Sequence, residues 1–280
     1  VVKSIGRMLI DAGVSEYWMP FVVGAIFAAP MFLSVTMLLN LPPPTPEDEA
    51  ARSKREPMNG ESRKAFFMKY FVGLTALTGL YILLTAYRDF RDNFAVEIWA
   101  ELGYSGSPEV LATAEIPVTV GTLVVLALLM LIKDNRKALL AVHGIMAAGT
   151  GLIAVATLLW QFGLISPGAW MVCLGLGLYV AYVPYGCVLF DRLIAAVGAV
   201  GTAGFLIYVT DAFGYLGSVA LMLYKDLGQP ELSWLEFFTA FSYITGVACT
   251  GAFLVSLVYF ARVARSPRPG TSVAESVGGA

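Results

Sequence analysis

Arg88, Asp89, Arg91 and Asp92 lie in the stretch AYRDFRDNF, just after sixteen uncharged residues, YFVGLTALTGLYILLT, 70–85. Cations and anions alternating at the end of an apolar run can form ion pairs that make and break. That chemistry suits gating or ion passage better than bond cleavage. On a helix, Arg88, Asp89, Arg91, Asp92 and Asn93 spread over one side, while Tyr87, Phe90 and Phe94 gather on the other. Arg88 and Asp92 are spaced i,i+4, as are Asp89 and Asn93. Glu97 and Trp99 follow in the same run. This pattern predicts a helix leaving lipid, its charged face turned to a water-filled vestibule or a partner helix. The plainer alternative is a solvated helix end with interfacial anchors.

A second charge stands deeper. Asp211 has uncharged runs on both sides, 193–210 and 212–224. An acid near a membrane-helix centre costs about 2.5–3.5 kcal/mol on insertion scales, so it needs a partner, water or a proton. Gly201, Gly204, Tyr208, Asp211, Tyr215 and Ser218 recur at three and four spacing and predict one stripe of small and polar residues. Asp211 is read either as a site for a proton or substrate cation, or as a structural hydrogen bonder. In the preceding apolar segment Gly175, Tyr179, Tyr182 and Gly186 share a face, and Pro184 can break the helix. That stripe suits either a binding site or packing. Glu115, two residues before Pro117, can pair with Arg88 or Arg91, or sit solvated at its helix end. His143 reads as an interfacial hydrogen bonder, and Asp191–Arg192 as a local ion pair in a short turn.

Catalytic constellations are missing from this pattern. One histidine excludes the two-histidine metalloprotease motif, and there is no phosphate-binding Walker loop or GxSxG. Cys173, Cys187 and Cys249 are odd in number and set in apolar runs, which argues against a disulfide framework and a zinc cluster. The chain is therefore expected not to be an enzyme and to need no cofactor. A net charge of −2 gives no basic surface for nucleic acid.

The elements that must position these residues are membrane spans. The chain is 58% hydrophobic and 14% charged, far from a soluble domain. A helix needs about 20 apolar residues to cross a bilayer. Seven segments qualify: Trp18–Asn40, Ala65–Tyr87, Val110–Ile132, Ala138–Trp160, Ala169–Phe190, Leu193–Tyr224 and Phe237–Ala261. With the proline-rich linker at 41–64 in the cytoplasm, thirteen of the eighteen Lys and Arg fall inside. Only Arg88, Arg91 and Lys225 lie in outer loops, with Lys3 and Arg7 as the exception before the first span. The C-terminus is then cytoplasmic, with 264–280 a disordered tail. Residues 1–13 read as the last turns of a helix that begins upstream or as a soluble amphipathic segment. The start on Val suggests a fragment.

One span, a long basic loop and then six spans resemble the second half of a major facilitator superfamily transporter, with the last helix of the first half attached. YRDFRDNFAVEIWAELGY, FDRLIAAVG and FLIYVTDAFGYLGS are similar to an uncharacterised family of that superfamily, known only as a domain of unknown function. The loop KDNRK, 133–137, lacks the glycine of the superfamily's signature. The resemblance implies an all-α polytopic bundle: 1–40 the end of a truncated N-terminal bundle, 41–64 a cytoplasmic linker and 65–263 a six-helix bundle. It implies that the second and fifth spans line a cavity. The expected partners are the lipid bilayer of a cell membrane, a missing N-terminal helical bundle and a small-molecule substrate. The candidate pathway residues are Arg88, Asp89, Arg91, Asp92, Glu97, Glu115, Tyr179, Tyr182, Asp211 and Tyr215. A secondary transporter is the leading expectation and a non-transporting membrane sensor or assembly protein the alternative.

Overall fold

The computed structural model describes residues 2–46, 58–105, 108–198, 202–229 and 231–264. Among them every regular element is helical. The order is α1 (Val2–Asp11), α2 (Met19–Leu39), α3 (Gly60–Lys69), α4 (Phe71–Asn93), α5 (Ala95–Glu101), α6 (Pro108–Met130), α7 (Asn135–Gln161), α8 (Pro167–Pro184), α9 (Phe190–Val197), α10 (Ala203–Leu223) and α11 (Trp234–Val263). A π-helical turn, Tyr185–Leu189, joins α8 to α9 without a break, and a second, Tyr224–Gly228, extends α10. Seven of these helical segments are long and apolar enough to cross a membrane.

Local chemistry sets the helix starts. The Asn59 side chain accepts from Ser62 N at 2.8 Å and opens α3. Asp134 does the same for α7 through Lys137 N at 2.7 Å. Ser233 and Glu236 form a reciprocal capping box on α11. Glu101 adds its carboxylate to the same end, accepting from Trp234 N and Leu235 N at 3.1 and 3.0 Å.

Three expected boundaries move. The second span does not run from Ala65. The chain breaks at Tyr70, so α3 is a separate helix and the spanning helix runs from Phe71 to Asn93. Arg63, Lys64 and Lys69 are exposed on α3, while Phe66 is its buried contact. Twenty-three residues at 1.5 Å each give about 34 Å, enough to cross the hydrocarbon. The Arg–Asp cluster therefore lies in the last turns of the spanning helix and not beyond it. The linker shortens for the same reason, since its final residues already belong to α3; residues 47–57, and the tail from 265, lie outside the described residues. Between the fifth and sixth spans the chain turns at Gly198, whose φ of 63° is left-handed, so Leu193–Val197 completes the fifth span. Asp191 and Arg192 are thus helical residues, and Arg192 donates to Asn135 Oδ1 at 2.7 Å.

α4 and α8 sit at the centre. α4 packs on α10 and α11; α8 packs on α6 and α7; α7 packs on α11. This pattern is unchanged when α4, α6 and α7 are exchanged for α8, α10 and α11. Each set has three spans, so consecutive sets run in opposite directions across a membrane. α2 stands apart, packed on α1, with Phe21, Phe32 and Leu38 exposed around it. α1 is amphipathic, pairs Arg7 with Asp11 at 3.4 Å on its exposed side, and rests on α2 and α6.

Candidate functional site

Tyr81, Arg88, Asp89, Arg91 and Asp92 all project from α4 into the clefts where it meets α8, α10 and α6. Their spacing, 81, 88 and 92, is that of one helical line, with Asp89 and Arg91 on either side. The expected single charged face is therefore divided in two. Arg88 and Asp89 turn toward α8 and α10. Arg91 turns the other way and is 3% exposed.

The first group reaches from the last turns of α4 back to mid-span. Tyr81 is central in α4, Tyr182 lies halfway along the continuous helix from Pro167 to Val197, and Asp211 lies within α10, uncharged residues on both sides. Tyr81 Oη lies 2.7 Å from Asp211 Oδ1 and 3.0 Å from Tyr182 Oη. Tyr81 has one hydroxyl hydrogen. Given to the carboxylate, it leaves the Tyr81 oxygen to accept from Tyr182. Tyr182 in turn accepts from Arg88 Nη1. The Arg88 guanidinium lies 4.6 Å from the centre of the Tyr182 ring. Asp89 Oδ1 holds Arg88 by Nε at 3.0 Å and Nη2 at 2.7 Å. Its other oxygen accepts from Ser218 Oγ at 2.6 Å. Tyr185, at the start of the π turn, stacks on Tyr81 at 4.4 Å and donates to the Leu77 carbonyl at 3.0 Å.

The second group lies toward the Asn93 end. Arg91 Nη2 donates to Glu115 Oε1 at 2.6 Å, joining α4 to α6. Arg91 Nη1 lies 3.6 Å from Asp92. Tyr179 donates to Asp92 at 3.1 Å, adding α8. Gly175 makes room: a Cβ there would meet Arg91 Nη2 at 2.6 Å.

Of the residues singled out from sequence, eight meet here: Arg88, Asp89, Arg91, Asp92, Glu115, Tyr179, Tyr182 and Asp211. Glu97 does not, since it is exposed on α5, a short helix that packs on the bundle through Ile98 and Trp99 instead. Tyr215 is 55% exposed on the open side of α10 and flanks the Arg88 group without a hydrogen bond to it. The expected α10 stripe is also split. Its buried ridge is Leu206, Thr210, Gly214 and Ser218, packed on α4, while Gly204, Tyr208 and Tyr215 face outward. Gly201 lies outside the described residues. In the α8 stripe Gly175 is buried against Arg91 and Gly186 is exposed, and Pro184 leads into the π turn without ending the helix. His143 is no interfacial residue: it is fully buried between α7 and α11, bonded to Leu139 O at 2.8 Å and Ser256 Oγ at 3.0 Å.

Sequence reasoning passed over Tyr81, which links α4 and Tyr182 of α8 to Asp211. Its signal was available: a tyrosine in an otherwise apolar run, two turns before Arg88. Arg88 and Asp89 are half-buried at the edge of an open face of the bundle, on which Tyr208 and Tyr215 are exposed. A cavity of about 330 Å³ lies elsewhere, between the start of α7 and the ends of α9 and α11, near Asp134, Arg136 and Val263. Among the described residues no cluster of His, Cys, Asp or Glu could hold a metal ion.

Neither the curated proteins nor the solved structures compared with this chain contain a match. A family does match, over residues 1–263 of the 280. A bundle with seven helices fit to span a membrane, polar groups gathered where its central helices meet, accords with a multi-pass membrane protein, and the chain belongs to the family of unknown function DUF5690.

Proposed function

We propose that this protein moves a small solute across a cell membrane by alternating access, coupled to a proton carried at Asp211. The observation that carries the reading is the network of charged and tyrosine side chains that joins α4, α6, α8 and α10. Charged residues in membrane helices are costly and face bundle interiors or water when they occur. Here two guanidinium groups, Arg88 and Arg91, stand among four carboxylates, Asp89, Asp92, Glu115 and Asp211. That excess of two negative charges is the balance a proton or bound cation would complete.

The exchange symmetry of the six helices supports a major-facilitator-like architecture, in which inverted three-helix repeats form each half and substrate binds near the midplane. In that arrangement the open face of α4, α8 and α10 lines the central cavity opposite an N-terminal bundle that α2 would join. Linker and C-terminus are cytoplasmic in this orientation, following the distribution of Lys and Arg.

One observation favours a second reading, a non-transporting sensor or assembly protein on the same scaffold. Arg88 and Arg91 are both held by carboxylates of the bundle itself, as a neutralised structural core would be. The test is reconstitution of the native open reading frame in liposomes with an inward proton gradient and a pool of labelled metabolites. Gradient-driven uptake that Asp211→Asn uncouples is the expected result. Uptake that Asp211→Asn leaves coupled would remove the proton role. Uptake that needs no gradient would leave transport without coupling.

A further inference from the structure

We propose that Tyr81 and Tyr182 form a relay through which proton occupancy at Asp211 sets the hydrogen bonding of Arg88; the inference rests on the proton role of Asp211 given above. The hydrogen bonds have one direction. Arg88 can only donate, and an ionised Asp211 can only accept. Between them each tyrosine has one hydrogen to give, so the order must run Arg88 to Tyr182 to Tyr81 to Asp211, across 3.0 and 2.7 Å for the last two links. Any other order leaves the carboxylate without its donor from Tyr81.

A hydronium ion gives its proton to Asp211: one O–H bond of the hydronium breaks, an O–H bond forms on the carboxylate, and water leaves. The carboxyl group then donates to Tyr81, and Tyr81 turns its hydrogen to Tyr182. The Tyr182 oxygen now receives both Tyr81 and Arg88, and its own hydrogen swings away from Tyr81. The free direction is the open face, where Tyr215 is exposed nearby and Gly186 is exposed in the π turn after α8. Charge-assisted hydrogen bonds are roughly twice as strong as neutral ones, so losing the carboxylate as final acceptor weakens the whole chain.

The linkage spans the bundle. Asp211 belongs to α10, Tyr182 to α8, and Tyr81 and Arg88 to α4. α10 packs chiefly on α4, and α8 on α6 and α7, so the run from Tyr182 through Tyr81 to Asp211 is a side-chain connection between α8 and α10. Arg88 also anchors α4 to α10 through Asp89 and Ser218. A change at Asp211 therefore reaches the grip of α4 on both neighbours. The titratable or charged groups facing Asp211 are Tyr81, Arg88 and Asp89 on α4, Tyr182 and Tyr185 on the α8 side, and Tyr208 and Tyr215 on its own helix.

The experiment is a pH titration by NMR of the full chain in nanodiscs, with tyrosine labelled with carbon-13 at Cζ. The Tyr81 and Tyr182 signals are assigned by their loss in Tyr81→Phe and Tyr182→Phe. The expected result is that both signals shift with pH along one shared curve. Asp211→Asn abolishes both shifts, and Tyr81→Phe abolishes that of Tyr182, which does not touch Asp211. A Tyr81 signal that titrates while Tyr182 stays still overturns the relay and leaves the proton role of Asp211 standing. Two unmoving signals overturn both. A Tyr182 shift that survives in Asp211→Asn or in Tyr81→Phe overturns the relay alone.

Discussion

The seam between α7 and α11 and the clefts that α4 forms with α6, α8 and α10 solve the same problem in opposite ways. Both place polar side chains inside a bundle. The seam uses neutral pairs. His143 meets Ser256 at 3.0 Å, and Thr150 meets Thr250 at 2.8 Å. Gly246 lets α11 approach Ala154 closely. Each group is satisfied locally, and no formal charge must be neutralised. The clefts instead bury Arg91 and are lined with Asp89, Asp92, Glu115 and Asp211. Neutral hydrogen bonds between membrane helices contribute about 0.6 kcal/mol on average, enough for glue. Charges cost more to place there, so their retention points to a task that neutral groups cannot do.

The comparison predicts unequal consequences of mutation. Arg91→Met strands Glu115 inside the bundle and should destabilise by about 3–5 kcal/mol. Thermal unfolding in nanodiscs would show it, and adding Glu115→Gln to the same chain should recover most of the loss. If Arg91→Met is mild, the cleft is wet enough to behave as surface. Gly149→Ala comes next. Its Cβ would lie 2.7 Å from the Gly177 carbonyl oxygen, a backbone atom that cannot swing aside, so α7 and α8 must part. The expected cost is about 1–3 kcal/mol, read from the same unfolding curves. Ser256→Ala leaves one imidazole nitrogen of His143 unbonded in the seam and should cost about 1 kcal/mol. Glu97→Gln lies outside both regions and should stay within about 0.5 kcal/mol. A large effect there would extend the charged region beyond the bundle.

Much of this division could be read before the fold was known. The seven apolar runs follow from length and composition, because a lipid-facing helix must be apolar along its whole length. Periodicity places Tyr87 and Phe90 opposite the charged residues of their helix, and both are fully buried. For Glu115 the sequence leaves three options, a pair with Arg88, a pair with Arg91 or a solvated helix end, and the structure pairs it with Arg91. What periodicity could not supply was the break at Tyr70. The residues around it are aromatic and continue the apolar pattern, so the second span was drawn six residues too early. That error moved Arg88 from the spanning helix to its edge. Nor could one helix's pattern show that Arg91 and Arg88 diverge: which neighbour a side chain meets is a property of packing. Tyr81 was missed because a tyrosine in an apolar run looks like ordinary core until Asp211 is placed opposite it.

The most direct test of the account is water access to the open face of α4, α8 and α10. In a chain with Cys173, Cys187 and Cys249 replaced by alanine, single cysteines at Tyr208 and Tyr215 would be exposed to a membrane-impermeant thiol reagent added from either side of the membrane. The account predicts modification of these positions by the impermeant reagent, with rates from the two sides that shift oppositely when a proton gradient is imposed. Modification only by a lipid-soluble reagent, from neither side in water, would make this face a lipid contact and contradict the transport pathway.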